Sequence, residues 1–189
     1  MSEEVINKES TINPEEWRPM KNPWLISAPL MLAVAMYALD ETISNVALPY
    51  MAGSFSCRHN ESTWVLTFYL IASGIIIPAV DFFCNLFGRK NFFLTIVIIF
   101  TISSFLCGIS NSLIMMVLAR FLQGIGGGAI LPLCQAIMME SFPKEKRPQA
   151  MALFGLGVVF APIIGPALGG WITENWSWPY IYYINIPIG

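Results

Sequence analysis

Long apolar segments dominate this sequence, and they limit the folds that the chain can adopt. A helix needs about 20 apolar residues to cross a bilayer, and five such runs are each closed by polar or charged residues. Backbone groups in lipid must find partners within the chain, and the runs lack the alternation of barrel strands. We therefore predict an all-α membrane protein. The predicted spans are residues 24–51, 64–83, 92–109, 113–139 and 150–172, with the start of a sixth from residue 180.

The composition supports a membrane protein and argues against other classes. Hydrophobic residues make up 56% of the chain and charged residues only 12%, whereas soluble domains carry roughly 25% charged residues. The net charge of −2 gives no indication of nucleic-acid binding. His59 and four scattered cysteines form no metal-binding pattern, so no metal and no other cofactor is predicted. The cysteines lie in or beside apolar runs, where a small hydrophobic role is the simplest interpretation.

The N-terminal segment and the basic residues predict the orientation. Residues 1–23 form a polar tail rather than a signal peptide, because no apolar segment with a small-residue cleavage site follows. Cytoplasmic loops carry the excess of Lys and Arg. With a cytoplasmic N-terminus only Arg58 lies outside, so we predict a multi-pass protein of the inner (plasma) membrane. The inside residues are then Lys8, Arg18, Lys21, Arg89, Lys90, Lys144, Lys146 and Arg147.

Three ionisable residues, Asp40, Glu41 and Arg120, lie well inside the predicted spans. A charge at mid-bilayer costs at least about 2.5 kcal/mol, which makes such residues functional candidates. From the helical rise, Asp40 lies roughly 24 Å from the cytoplasmic start of the first span, and Arg120 lies roughly 12 Å from the outer start of the fourth. Because these two spans start on opposite sides, both residues fall in the middle-to-outer part of the bilayer. Either a carboxylate binds a proton under the influence of Arg120, or the two form a fixed ion pair. Glu41 projects about 100° away from Asp40 around the helix and therefore faces different surroundings. Asp81 and Glu140 lie near helix ends, where a role in gating or at the membrane interface fits them better than proton transport.

Small residues form a continuous ridge on the fifth span. Gly157, Ala161, Gly165 and Gly169 are spaced by four and share one helix face, which permits close approach of another helix. Pro162 and Pro166 remove backbone donors and introduce bends. Such a helix suits a rocking contact between two halves of a protein, and static close packing is the alternative. In the fourth span, Arg120 precedes a similar track of Gly124, Gly128 and Pro132.

Four motifs, in order along the predicted spans, resemble those of a known family. They are LDETISNVALP (39–49), FGRKNFF (87–93), RFLQGIGGG (120–128) and the stretch 157–170 that ends in GPALGG. The segment WSWPYIYYINIPIG (176–189) resembles the approach to a sixth helix. Together they resemble the major facilitator superfamily, and within it the drug:proton antiporters of the EmrB/QacA type. The resemblance covers residues 36–189.

The resemblance implies more than the composition does. It implies twelve or fourteen helices, alternating access, and export of small amphipathic compounds in exchange for protons, with a periplasmic adaptor and an outer-membrane channel in some relatives. It implies proton coupling at Arg120, with Asp40 and Glu41 as candidate carboxylates. The gating loop comprises Asp81, Asn85, Gly88, Arg89 and Lys90. The antiporter-motif hinge between the two halves comprises Gly157, Ala161, Gly165, Pro166, Gly169 and Gly170.

Three departures from the family pattern stand out. The loop motif usually has a glycine and an aspartate where this chain has Asp81 and Asn85, which removes a charge from the latch between the halves. Pro179 replaces an arginine that is usual in the WRW pattern. The length fits one incomplete N-terminal half, so we expect that the missing C-terminal helices are needed and that the ridge on the fifth span has no partner here.

Several functions remain open on the sequence alone. The leading interpretation is the N-terminal portion of a proton-coupled drug exporter, acting between the lipid bilayer, protons and amphipathic substrates. An exporter of one specific metabolite is the alternative within transport. A truncated remnant that does not transport is an alternative of another class. A membrane enzyme is disfavoured, because no serine–lysine, HExxH or paired intramembrane aspartate pattern is present.

Overall fold

The computed structural model describes residues 23–189, and in that range the chain consists of helices and short connections. Of the predicted tail of residues 1–23, residues 1–22 lie outside the described residues, and Pro23 begins the first helix instead. Five stretches are long and apolar enough to cross a membrane, in agreement with the predicted all-α class with five spans. The helices are α1 (Pro23–Ser54), α2 (His59–Ser62), α3 (Trp64–Ile76), α4 (Val80–Phe87), α5 (Arg89–Gly108), α6 (Leu113–Ser141), α7 (Arg147–Asn175) and α8 (Tyr180–Tyr183).

The second span is interrupted by a short 3₁₀ turn. Ile77–Ala79 separates α3 from α4 within the continuous apolar stretch His59–Phe87. Pro78 lies inside this turn, and because proline lacks an N–H it removes one bond of the helical ladder. Gly88 then ends α4 and precedes α5 with φ 77° and ψ 145°, a backbone conformation that residues with a Cβ rarely adopt. The turn brings Arg89 to the start of α5.

Helix α6 is the centre of the bundle and packs against α1, α3 and α5. Its glycines permit this, because a Cβ on Gly124 would overlap the backbone carbonyl of Tyr69 on α3. A Cβ on Gly126 would overlap the Ile96 carbonyl on α5 in the same way. The fourth span therefore touches its neighbours backbone to backbone on two sides, as small-residue helices do in membranes.

The small-residue ridge of α7 packs against α1. A Cβ on Gly165 would overlap the side chain of Thr42, and one on Gly169 would press on Ile43. The expectation that this ridge has no partner within the chain is therefore wrong: its close approach is to the first span. The opposite face of α7 is exposed and apolar. It carries Leu156, Val159, Phe160, Ile163 and Ile164.

A polar layer divides the interior into two apolar clusters. One cluster includes Met36, Phe100 and Leu133, and the other includes Ile43, Cys107 and Met116. The five long helices α1, α3, α5, α6 and α7 contribute to both clusters. On α1, Asp40 lies between Met36 in one cluster and Ile43 in the other. The buried polar side chains of this layer are Asp40, Ser104, Arg120, Gln123 and Asn185.

Candidate functional site

Asp40 and Arg120 form an ion pair in the middle of the bundle. Nη1 of Arg120 donates to Oδ2 of Asp40 at 2.6 Å. Both side chains are almost completely removed from solvent, with 0% and 1% of their surface exposed. The helical rise predicted a similar depth for these residues, and the structure brings them into direct contact. The pair is compatible with proton binding and with a fixed structural contact.

Gln123 connects the two members of the pair. Its Oε1 accepts from Nη1 of Arg120 at 2.9 Å, and its Nε2 donates to Oδ1 of Asp40 at 2.9 Å. Gln123 lies one helical turn after Arg120 and is fully buried. Sequence reasoning quoted this glutamine in the RFLQGIGGG motif without assigning it a role. Its position three residues after a buried arginine was the available signal.

Asn185 brings the segment after α8 into the same network. Its Nδ2 donates to Oδ1 of Asp40 and to Oγ of Ser104, each at 2.8 Å. Ser104 on α5 in turn donates to the backbone carbonyl of Tyr182 at 2.8 Å. The sequence interpretation missed Asn185 and Ser104, because the presence of an uncharged polar residue does not predict which helix face it occupies.

Two tyrosines enclose the guanidinium of Arg120. Its Cζ lies 4.2 Å from the ring centroid of Tyr69 and 5.6 Å from that of Tyr182, distances at which aromatic faces attract a cation. Nε and Nη2 of Arg120 have no hydrogen-bond partner among the described residues, nor do the hydroxyls of Tyr69 and Tyr182. Arg120 therefore has two buried N–H groups, Nε and Nη2, without acceptors. This costs free energy unless another conformation of the protein supplies acceptors for them.

Glu41 lies apart from this network. It is partly exposed, and Nδ2 of Asn45 donates to its backbone carbonyl at 2.8 Å. The phenol of Tyr37, one turn earlier, faces its carboxylate. The structure thus brings Asp40 and Arg120 together and leaves the third predicted proton-coupling residue on another face of α1.

The predicted gating loop lies at the end of the bundle where α1 begins. Arg89 forms an ion pair with Glu140 at the end of α6, with 44% and 58% of the two side chains exposed. Asp81, Asn85 and Lys90 are exposed as well. The loop therefore has a charged contact within this half, although Asn85 carries no charge. Within residues 23–189, no group of three His, Cys, Asp or Glu side chains is arranged to hold a metal.

The predicted hinge residues divide between two faces of α7. Gly157, Ala161, Gly165 and Gly169 lie on the side of α1, where Gly157 approaches Met31. Pro166 is exposed, and a Cβ on Gly170 would meet no atom within 4 Å. Contact with a second half is thus available at the exposed face, and the small-residue ridge is already occupied.

The fold defines a class of membrane protein. A similar arrangement occurs in the crystal structure of a bacterial homolog of the human lysosomal transporter Spinster, in an inward-facing and unoccupied conformation. The TM-score is 0.73 at 18% identity, and the match covers 88% of this chain and 41% of that one. The sequence profile of the Major Facilitator Superfamily matches residues 30–189. The chain therefore belongs to the major facilitator superfamily, as its motifs indicated.

Curated relatives narrow the similarity to exporters. The multidrug export protein EmrB of Haemophilus influenzae is 41% identical over 165 residues, and that of Escherichia coli K12 is 39% identical over 177. The fatty acid resistance protein FarB of Neisseria gonorrhoeae is 42% identical over 176 residues. These matches cover 87%, 93% and 92% of this chain but 32%, 35% and 35% of the relatives. The chain thus spans about a third of their length, and the resemblance to the EmrB type is confirmed.

Proposed function

We propose that this chain is the N-terminal part of a proton-coupled exporter of amphipathic compounds, which lies in the inner (plasma) membrane with its N-terminus in the cytoplasm. The observation that carries the proposal is the buried pair of Asp40 and Arg120. In this proposal Asp40 takes up and releases the transported proton, and Arg120 responds to its charge. Glu41, partly exposed on another face of α1, is the second candidate carboxylate.

Protonation of Asp40 would have a large effect on the bundle. Removing one charge from a buried ion pair leaves the other uncompensated, and this costs roughly 3–5 kcal/mol. Arg120 is completely buried and so has no access to water in this conformation. Its unused Nε and Nη2 donors offer a way to reduce that cost, because a small shift of the helices can bring new partners to them. Proton binding and conformational change are thereby linked.

The orientation is supported by where the charged residues lie. Arg89 and Glu140 are in contact, and the ring of Trp24 packs against Phe142 at 5.2 Å between centroids. The start of α1 therefore shares one end of the bundle with the basic connections around residues 89 and 146, while Arg58 follows the other end of α1. Because basic residues favour the cytoplasmic side, we propose that the N-terminal end faces the cytoplasm.

Alternating access requires a second set of helices, and the exposed face of α7 is where we propose that it packs. This face is apolar and continuous, while Pro166 is exposed and a Cβ on Gly170 would meet no atom within 4 Å. In the proposal the substrate binds near the midplane between the two halves, as in other transporters of this architecture. The loop from Asp81 to Lys90 then gates the cytoplasmic end.

Amphipathic substrates are proposed from the relatives, whose names describe multidrug export and fatty acid resistance. Export of one specific metabolite and a chain that does not transport are the competing proposals. In a cell with two membranes, a periplasmic adaptor and an outer-membrane channel would complete the path.

The test is accumulation of ethidium and of a medium-chain fatty acid in a host that lacks its own exporters. The chain is expressed with any coding sequence that continues it, and a proton-gradient uncoupler is added in a parallel assay. We expect lower accumulation than in empty cells, reversed by the uncoupler and abolished in Asp40→Asn and Arg120→Ala. Glu174→Gln, which neutralises an exposed acid at the end of α7, is the matched control and should retain most activity. Full export by both Asp40→Asn and Arg120→Ala would refute the proton site.

A further inference from the structure

Asn185 uses both hydrogens of one amide group to join three parts of the chain. Nδ2 donates to Oδ1 of Asp40 on α1 and to Oγ of Ser104 on α5. The residue itself is only 2% exposed and lies in the turn that follows α8. A neutral side chain at the start of the sixth span therefore contacts the carboxylate directly.

The hydrogen bonds at Asp40 fill three of the roughly four lone-pair sites of its carboxylate. Oδ2 accepts from Arg120, while Oδ1 accepts from Gln123 and from Asn185. An ionised carboxylate only accepts, but a protonated one must also donate through its O–H. A proton on Oδ1 would take the place of an N–H donor, and a proton on Oδ2 would have only donors around it. In either case the carboxyl loses the charge that strengthens its bonds to these N–H groups, so at least one of them is free to move.

Asn185 is the donor that loses least when its bond to Asp40 breaks. Gln123 lies on α6 beside Gly124, which the backbone of α3 closely approaches, and its Oε1 is held by Arg120. Arg120 is enclosed by two tyrosine rings. Asn185, in contrast, also donates to Oγ of Ser104, so its amide keeps a partner when the bond to Asp40 breaks.

We infer that Asn185 is a positioning residue that holds Asp40 in its ionised form and is released when Asp40 takes up a proton, so that residues 180–189 move with protonation. The inference rests on the proposed function in one respect, namely that Asp40 is the proton-binding group. It adds the start of the sixth span as the element that responds to the proton.

Other ionisable groups near Asp40 do not replace this contact. Arg120 is the one cation that contacts it among the described residues. The ionisable side chains of α7, Arg147 and Glu174, lie at the two ends of that helix. The remaining neighbours are Tyr37 and Glu41 on α1, Tyr69 on α3, Cys107 on α5 and Tyr182 on α8.

The first arm of the test follows protonation of Asp40 with a lipophilic carbodiimide, which modifies protonated carboxyl groups in membranes. The full chain in lipid nanodiscs is labelled between pH 5 and 9, and the peptide containing Asp40 is quantified by mass spectrometry in a Glu41→Gln background. Asn185→Leu removes the donor and keeps the branched shape of the side chain, so the midpoint should move upward by about one pH unit, a tenfold gain in proton affinity. Asn185→Ala should shift it in the same direction if the leucine variant does not fold.

The matched control for this arm is Ser104→Ala. It removes the other acceptor of Asn185 and leaves the bond to Asp40 in place, so the midpoint should remain within about 0.3 pH units. Equal midpoints in wild type and Asn185→Leu, or equal shifts in both variants, would overturn the inference alone. Absence of labelling at every pH would refute the proton site itself, and the inference with it.

The second arm measures release of the segment by hydrogen exchange at a fixed pH of 7. Asp40→Asn serves as a permanently neutral side chain, and the peptide containing residues 178–189 should exchange at least tenfold faster than in wild type. Glu145→Gln neutralises an exposed carboxylate outside the network and should not change the rate. Identical exchange in wild type and Asp40→Asn would show that the segment does not respond to the charge of Asp40.

Discussion

Two arginine–carboxylate pairs in this half-bundle show how surroundings decide what an ion pair does. Arg89 and Glu140 meet at the end of the helices with about half of each side chain exposed. Arg120 and Asp40 meet between the apolar clusters, where Gln123 and Asn185 complete the partners of the carboxylate. Formation of the first pair replaces hydration of two exposed charges by a contact, which stabilises the fold by typically about 0–1 kcal/mol. When the second pair breaks, its buried charges have no water around them that could solvate them.

The difference also separates roles within the proposed cycle. A pair that is cheap to break suits a gate, because it opens and closes with small changes in free energy. A pair that is costly to break suits coupling, because a proton at Asp40 changes the stability of the whole conformation. The following variants test this contrast, beginning with the largest expected effect.

Removal of Arg120 should have the largest effect on stability. Arg120→Leu leaves Asp40 charged and buried without its counter-ion, and we expect a loss of about 3–5 kcal/mol, measured by reversible unfolding in mixed detergent micelles. The double variant Asp40→Asn/Arg120→Leu has no uncompensated charge and should recover at least half of that loss. If the double variant is no more stable than Arg120→Leu, lost packing around the guanidinium is the cause, and the electrostatic explanation is wrong.

Removal of Gln123 should have an intermediate effect. Gln123→Leu deletes a donor to Asp40 and an acceptor for Arg120, each a hydrogen bond to a charged group, and we expect a loss of about 1.5–3 kcal/mol. Gln135→Leu is the matched control, because Gln135 lies on the same helix and is exposed. It should change the stability by less than about 0.5 kcal/mol. Equal losses in the two variants would remove Gln123 from the network.

Removal of the exposed pair should have the smallest effect. Glu140→Gln leaves Arg89 in contact with solvent, and we expect a change of at most about 1 kcal/mol. Solvent ions screen exposed charges, and the Debye length falls below about 10 Å as salt is added. Any loss of stability should therefore become smaller between about 0.05 and 0.5 M salt. A salt-independent loss as large as that of Arg120→Leu would contradict the contrast between the two pairs.

Much of the fold follows from the sequence, because lipid imposes simple demands. Each of the five apolar runs matches one of the stretches long and apolar enough to cross the membrane, and only the third extends beyond it, by one residue. The equal depth of Asp40 and Arg120 follows from counting residues at a fixed rise per residue. The break in the second span was not predicted, although Pro78 was its visible cause.

The rest of the site depends on how the helices are rotated and which of them are neighbours. Asn185 lies 145 residues from Asp40 in the chain, and neither its type nor its spacing predicts that contact. The ridge of α7 predicts a close approach but not the helix that makes it, and α1 proved to be that helix. Small residues specify distance, whereas the identity of the partner follows from the packing of the whole bundle.

The glycine seam of α6 has a consequence for how this part of the chain can vary over time. Where Gly124 and Gly126 meet α3 and α5, the nearest atoms are the backbone carbonyl oxygens of Tyr69 and Ile96, which no substitution on the neighbouring helix can shorten. A single codon change at these positions therefore has no second-site remedy short of moving an entire helix. We expect substitutions in the family to accumulate at lipid-facing positions and to be rare at Gly124 and Gly126.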